Sequence, residues 1–170
     1  MLKTAAPAPD LTVPLAGRDG TWSLRDQSPD AFTMIVFYRG RHCPICKKQL
    51  AELSEKRAQF EDQGVEIVCI SMDDAERVRT TLDEWNTEGL TIGHGMTEAQ
   101  ARSFGLYISK KEMDAEPERF SEPGLVLVRP DGDVYAAYIQ SVPFGRPDLD
   151  DLASGIAFIL KKDYPTRGTA

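Results

Sequence analysis

The chain has 170 residues, of which 41% are hydrophobic, and its 20 basic and 27 acidic side chains give a net charge of −7. This length and composition are typical of one globular domain, and the acidic balance argues against a nucleic-acid or anionic-membrane partner. No apolar run approaches the roughly 18 residues of a membrane-spanning helix. The first nine residues lack the apolar stretch of a signal peptide, so the sequence predicts a cytoplasmic protein.

Apolar periodicity and turn residues predict the secondary structure. Residues 1–10, rich in Ala and Pro, are expected to lie loosely on the surface, and residues 11–165 are expected to form one domain. The predicted elements, in chain order, are a hairpin over 11–24, a strand over 33–38, a helix over 43–63, a strand over 65–71, a helix over 73–86, a short strand over 91–92, a helix from 97, an irregular polar stretch over 105–120, a strand over 124–128, its antiparallel partner over 134–140 and a helix over 147–162.

Strands and helices alternate along this chain before a final hairpin and helix. That order predicts an α/β protein with a mixed central β-sheet, flanked by helices on both faces and preceded by an N-terminal β-hairpin. The pattern is compatible with the thioredoxin fold, with a cysteine pair at the end of the first core strand.

The cysteine pair lies at 43–46, Cys-Pro-Ile-Cys, where the strand gives way to the helix. Residues i and i+3 of a helical turn are about 5–6 Å apart at Cβ, and a modest adjustment brings them within the roughly 3.5–4.5 Å of a disulfide. Because a helix N-terminus stabilises negative charge, Cys43 is the candidate nucleophile, with a lowered thiol pKa. Nearby Arg39, Arg41 and His42 would favour the thiolate further.

Cys46 is the candidate resolving thiol and should be more buried and less acidic than Cys43. An inert pair is one alternative, but a pair at a strand–helix junction favours reactivity. A zinc site is another, but it needs about four ligands, and the chain adds only Cys69, His42 and His94 without a second paired motif. The sequence therefore predicts no metal, and Cys69, in a β-branched strand, is expected to be a core residue.

The roles of two further residues remain open in the sequence. His42 could act as a general base, as a local cation, or as a loop histidine with no specific task. Pro123 stands at the entry of the strand over 124–128, where either a cis bond or an ordinary trans bond is compatible with the sequence.

Residues 37–46, Phe-Tyr-Arg-Gly-Arg-His-Cys-Pro-Ile-Cys, resemble the active-site segment of peroxiredoxin-like proteins of the alkyl hydroperoxide reductase/thiol-specific antioxidant (AhpC/TSA) group. Residues 64–71 resemble that group's second core strand, 130–132 its hairpin turn, and 143–146 the entry to its final helix. The resemblance spans about residues 8–162 and implies a thioredoxin fold. It also implies a redox function centred on the cysteine pair.

The chain departs from the typical members of this group at three positions. Those members carry a proline, then a threonine or serine, before the reactive cysteine, where this chain has Val36 and Gly40. They also carry an arginine at the head of the strand where this chain has Pro123. The usual hydroxyl and arginine are therefore missing, and the candidates for replacing the cation are Arg39, Arg41 and Arg146.

A two-cysteine motif with a strand-entry proline is the arrangement of thioredoxin-like proteins, which use a cis-proline loop as a wall beside the reactive pair. The resemblance therefore implies a cis Glu122–Pro123 bond lying against Cys43 and Cys46. It also implies that Arg146, in the loop before the last helix, helps to position the edge of the active site.

The sequence thus predicts a thiol-dependent oxidoreductase that uses Cys43 and Cys46 to reduce hydroperoxides or disulfides. The predicted electron source is a thioredoxin- or glutathione-type thiol, and no cofactor is expected. The alternative is a non-enzymatic redox sensor or binding module on the same fold. The sequence predicts no nucleic-acid or membrane partner and leaves monomer and homodimer both open.

Overall fold

A computed structural model describes residues 2–170 of the chain. The strands in this part are β1 (Thr12–Pro14), β2 (Thr21–Ser23), β3 (Phe32–Phe37), β4 (Val65–Ile70), β5 (Thr91–Gly93), β6 (Ile108–Lys110), β7 (Arg119–Ser121), β8 (Gly124–Val128) and β9 (Val134–Ile139). The helices are α1 (Pro44–Glu61), α2 (Ala75–Glu84), α3 (Glu98–Ser103) and α4 (Leu149–Lys162).

The central sheet has five strands in the order β5-β4-β3-β8-β9. Strand β3 lies in the middle, parallel to β4 and antiparallel to β8. The predicted mixed sheet and N-terminal hairpin are confirmed, the hairpin being the antiparallel pair β1 and β2. Helix α1 follows β3 after a short loop, so its first turn stands at the carboxyl end of the central strand. Ligand and active sites of open α/β sheets commonly lie at such an edge.

Every residue of β3 is buried, as expected for a strand that is covered on both faces. Alternate side chains enter two separate apolar clusters. Met34 and Val36 join residues of α1, α2 and α4, whereas Ile35 and Phe37 join residues of the N-terminal hairpin and α3. Each fully buried large side chain contributes about 1.5–3 kcal/mol relative to exposure, so these clusters anchor the start of α1.

Two segments are more ordered than the sequence predicts. Residues 5–8, expected to be loose, lie beside the start of β9: the Ala5 amide donates to the Val134 carbonyl at 2.8 Å and the Ala8 amide to the Gly132 carbonyl at 2.9 Å. Met1 lies outside the described residues. The stretch over 105–120, expected to be irregular, contains the β6–β7 hairpin. Its strands are three residues long, too short for a visible alternation of apolar and polar residues.

Among residues 2–170, no helix is long and apolar enough to cross a membrane.

Candidate active site

Cys43 and Cys46 stand at the start of α1 and are joined by a disulfide, with their Cα atoms 5.2 Å apart. Cys43 is the N-cap residue, and Pro44 occupies the first turn, where its missing N–H leaves no bond unmade. The Cys46 backbone N–H donates to Cys43 Sγ at 3.2 Å. The predicted redox pairing is confirmed, and an amide at the helix N-terminus points at the sulfur predicted to carry negative charge.

Both cysteines are almost fully buried: Cys43 is 1% exposed and Cys46 0%. The sequence predicts that Cys46 is the more buried of the two, but the exposed fractions of the two side chains are effectively equal. Both sulfurs lie in the apolar cluster that α1 shares with the sheet. A substrate that reaches either sulfur in this conformation must therefore be small.

Arg146 is the cation that contacts the pair. Its Nη2 atom lies 3.1 Å from Cys46 Sγ and 3.9 Å from Cys43 Sγ. Its Nε donates to the Pro143 carbonyl at 2.9 Å and its Nη1 to the Gln49 side-chain oxygen. Burial, with a further contribution from Arg39, lowers the pKa of Arg146 to about 10, so its guanidinium stays charged at neutral pH.

Arg39 is already paired with carboxylates. Its Nε lies 3.1 Å from Glu122 Oε2 and its Nη2 3.4 Å from Glu116 Oε1. Its guanidinium carbon also lies 4.8 Å from the centre of the Phe120 ring. Ser109 donates to the other Glu122 oxygen at 2.7 Å. The β6–β7 region thus holds Arg39 in a compensated ion-pair cluster, which leaves it a poor candidate for the missing cation.

Arg41 is also engaged elsewhere. Its side chain is 42% exposed and lies 3.5 Å from Glu84, while its backbone N–H donates to Asp73 Oδ2 at 2.7 Å. Asp74 is the N-cap of α2, whereas the Asp73 carboxylate turns toward the loop before Cys43. Of the three arginines that the sequence offers as substitutes, Arg146 is the one whose hydrogen bonds reach the sulfurs.

Asp73 also explains Gly40, which stands where the resembling family has a threonine or serine. Gly40 has φ +119°, a conformation that favours glycine, and a Cβ atom built on it would lie 2.5 Å from Asp73 Oδ1. The space that a side chain at position 40 would need is therefore filled by the Asp73 carboxylate. Arg77 donates to the same carboxylate at 2.9 Å.

His42 is neutral at pH 7. Burial first, and the Arg39 guanidinium second, lower its pKa to about 4. Its ring packs edge-on against Phe120 with the ring centres 4.6 Å apart, and its Nδ1 atom lies 3.5 Å from Arg77 Nη2. This lowered pKa argues against the alternative that His42 supplies a local positive charge.

The predicted cis bond before Pro123 is also wrong, because no peptide bond in residues 2–170 is cis. Glu122 and Pro123 simply join β7 to β8: the Glu122 N–H donates to the Tyr107 carbonyl at 2.8 Å, and the Pro123 carbonyl accepts from Gln140 N–H at 3.0 Å. Trans is the commoner X–Pro isomer, and this strand-to-strand connection does not require the other one. The side chain whose hydrogen bonds reach the sulfurs is that of Arg146.

Sequence reasoning missed several residues that shape this site. Gln49 follows Cys46 by three residues on α1, so helical spacing could have placed it on the same face. Asp73, Glu116 and Glu122 carry no comparable signal, because they reach the site from distant segments. Cys69 lies buried in β4, where burial raises its thiol pKa far above the usual range, as expected for a core residue.

Comparison with known families decides the class of this protein. Residues 4–137 match the model of the AhpC/TSA family. The chain belongs to the AhpC/TSA family. Membership of this family, together with the Cys43–Cys46 disulfide, makes the chain a thiol-based oxidoreductase, as the sequence predicts.

Two curated relatives are plant peroxiredoxins. A 1-Cys peroxiredoxin of Medicago truncatula is 21% identical over 157 residues, which cover 90% of this chain and 71% of the relative. The 1-Cys peroxiredoxin PER1 of Zea mays is 22% identical over 169 residues, with 88% of this chain and 72% of the relative covered.

Solved structures confirm the AhpC/TSA fold. The reduced 2-Cys peroxiredoxin of Plasmodium vivax superimposes with a TM-score of 0.77 at 15% identity, covering 94% of this chain and 98% of that one. A putative thiol:disulfide interchange protein of Chlorobium tepidum gives a TM-score of 0.68 at 17% identity, with 93% and 97% covered. Because the neighbours include both kinds of protein, the fold does not by itself choose between peroxides and disulfides.

Proposed function

We propose that this AhpC/TSA protein is a peroxidase that reduces small hydroperoxides, with Cys43 as the nucleophile and Cys46 as the resolving thiol. The observation that carries the proposal is the Arg146 guanidinium, which lies within 3.9 Å of both sulfurs of a buried pair. A fixed cation beside a sulfur favours the thiolate, and guanidinium donors suit the charge that develops on a departing oxygen.

Burial of the pair favours a peroxide over a disulfide as substrate. With exposures of 1% and 0%, a protein or peptide disulfide could reach the pair only after the covering segment moves, whereas a small peroxide requires a smaller opening. The Glu122–Pro123 bond is trans, so the chain lacks the cis-proline loop that thioredoxin-like proteins use beside the reactive pair. A peroxide presents only two reacting oxygen atoms and requires much less space.

The first step is attack of the Cys43 thiolate on the terminal oxygen of the hydroperoxide. The O–O bond breaks, Cys43 is oxidised to the sulfenic acid, and the departing alkoxide takes a proton from solvent to leave as an alcohol, or as water when the substrate is hydrogen peroxide. Arg146 stabilises the thiolate before attack and the oxygen anion during it.

The second step closes the disulfide. The Cys46 thiol attacks the Cys43 sulfenic sulfur, the S–S bond forms, and one water leaves. Two external thiol equivalents then reduce the disulfide and become a disulfide themselves. We expect a thioredoxin- or glutathione-type donor, and its attack requires the segment over 141–147, which carries Arg146, to move away from the buried sulfurs.

The test is NADPH consumption with thioredoxin and its reductase, measured above the rate without the protein. Hydrogen peroxide, cumene hydroperoxide and a small disulfide are supplied in separate reactions. We expect turnover with the peroxides, none with Cys43→Ser, and loss of recycling but not of the first turnover with Cys46→Ser. Cys69→Ala is the matched control and should keep the wild-type rate. Faster turnover with the disulfide than with either peroxide would contradict the proposal.

A further inference from the structure

Arg146 differs from the other arginines around the site in having no carboxylate partner among the described residues. Its hydrogen bonds go to the Pro143 carbonyl, the Gln49 amide oxygen and the two sulfurs. The neighbouring arginines all form ion pairs: Arg39 with Glu116 and Glu122, Arg41 with Glu84, and Arg77 with Asp73.

The missing carboxylate matters because a guanidinium can divide its attraction between two anions. If Arg146 were already paired with an acid, that acid would compete with a thiolate for the same donors. Its oxygen partners in hydrogen bonds are neutral, and the Glu122 carboxylate raises the Arg146 pKa only from beyond ion-pair distance, so the Nη2 donor remains available to the sulfur. A thiolate on the pair would then be the one anion in direct contact with Arg146.

Gln49 occupies the position where such an acid could stand. It lies on α1, three residues beyond Cys46, and its side-chain oxygen accepts from Nη1 of Arg146 while Nη2 faces the sulfurs. A guanidinium is planar and its donors have a fixed geometry. A bond at Nη1 therefore fixes the direction in which Nη2 points.

We propose that Gln49 is a positioning residue that holds the Arg146 guanidinium on the cysteine pair through a neutral acceptor, so that the charge of Arg146 is directed to the reactive sulfur. The proposal rests on the proposed function in that the thiolate is the reactive form. Gln49 acts through Arg146, the residue with which its side-chain oxygen forms a hydrogen bond.

The experiment measures the ionisation of a single thiol. In a Cys46→Ser background the thiolate absorbance near 240 nm is followed against pH; Cys69 does not interfere, because burial raises its pKa far above the usual range. Gln49→Leu removes the acceptor without adding charge and should raise the Cys43 midpoint by about 0.4–1 pKa unit, the size expected for loss of one hydrogen bond. Gln59→Leu makes the same change ten residues along α1, at an exposed position, and should leave the midpoint unchanged.

The decisive comparison repeats Gln49→Leu in the absence of the arginine. In an Arg146→Ala background the substitution should no longer move the midpoint, because its effect passes through Arg146. An equal shift with and without Arg146, or no shift in either background, would overturn the proposal.

A charged variant tests the requirement for a neutral acceptor. Gln49→Glu keeps an acceptor oxygen but adds an anion that competes for Arg146, so the Cys43 midpoint should rise by at least about one unit. Gln59→Glu is its control. A midpoint for Gln49→Glu at or below that of wild type would overturn the proposal. Because the titration uses no peroxide, a wild-type protein without peroxidase turnover would refute the proposed function separately.

Discussion

Replacement of Arg146 by alanine should raise the pKa of the Cys43 thiol by about one to three units, because it removes the cation that faces the thiolate. In the structure Nη2 lies 3.9 Å from Cys43 Sγ. At that separation two unit charges attract by about 1 kcal/mol in water and about 4 kcal/mol at the effective dielectric constant of about 20 typical of proteins. At 1.36 kcal/mol per unit, these limits correspond to about 0.8 and 3 pKa units.

Iodoacetamide alkylation against pH measures this change in the Cys46→Ser background, where Cys43 is the reacting thiol. Without Arg146 the midpoint should lie at or above the ~8.5 of a free cysteine, and with Arg146 it should lie below it. Peroxide reduction at pH 7 should fall about tenfold or more, in proportion to the lost thiolate. Arg146→Lys should recover part of the effect, because it restores the charge but not the planar fork.

Thermal stability separates this electrostatic effect from misfolding. Arg146→Ala should melt within a few degrees of wild type, since its two oxygen acceptors belong to Pro143 and Gln49, which are only half-buried. The control is Arg25→Ala, which removes a 75%-exposed arginine paired with Asp10. An Arg146→Ala protein with an unchanged alkylation midpoint and unchanged turnover would refute the reasoning and leave Arg146 a loop residue.

Three further predictions concern the same site. Cys46→Ser treated with one equivalent of peroxide should accumulate a sulfenic acid at Cys43, which dimedone traps. Wild-type protein treated in the same way should show the intrachain disulfide by mass spectrometry. An interchain bond as the main product would contradict the assignment. Gly40→Ala should lower the free energy of unfolding, measured in urea, by roughly 1–3 kcal/mol more than Gly132→Ala does. Both positions have positive φ, but only at position 40 would the new Cβ meet a carboxylate oxygen, 2.5 Å away. The free energy of unfolding should fall as pH drops from about 6.5 toward 4. In this range the unfolded chain binds a proton at His42, whereas the folded protein does not, because its His42 pKa is lowered to about 4. Urea melts of His42→Gln should lack this component, and the same pH dependence in variant and wild type would contradict the prediction.

Much of the redox centre follows from local sequence. The spacing of Cys43 and Cys46 places both sulfurs on one turn, and the strand before them with the proline after Cys43 fixes the start of α1. These relations involve neighbouring residues, so a linear pattern is enough to predict them. The same is true of the turn and strands of the final hairpin, and of the apolar strand that is buried at the centre of the sheet.

The partners of the charged residues were decided by the tertiary structure. The sequence offers three equal candidates for the missing cation, namely Arg39, Arg41 and Arg146. The residues next to each arginine in the chain do not indicate which group it will contact. Arg146 reaches the cysteines from a loop 100 residues beyond Cys46, whereas Arg39 is neutralised by glutamates roughly 80 residues away. Sheet order brings these segments together, and no local propensity encodes that order.

Pro123 and His42 show the same limit. A proline at a strand entry is compatible with either isomer until the neighbouring strand and its hydrogen bonds are known, and a histidine beside basic residues can be charged or neutral until its burial is known. The sequence by itself determined the chemistry available to this protein, namely a thiol pair at a helix start, because that chemistry depends on spacing along one turn. Only the tertiary structure decided which cation serves the pair and how deeply the pair is covered, because both depend on contacts between segments far apart in the chain.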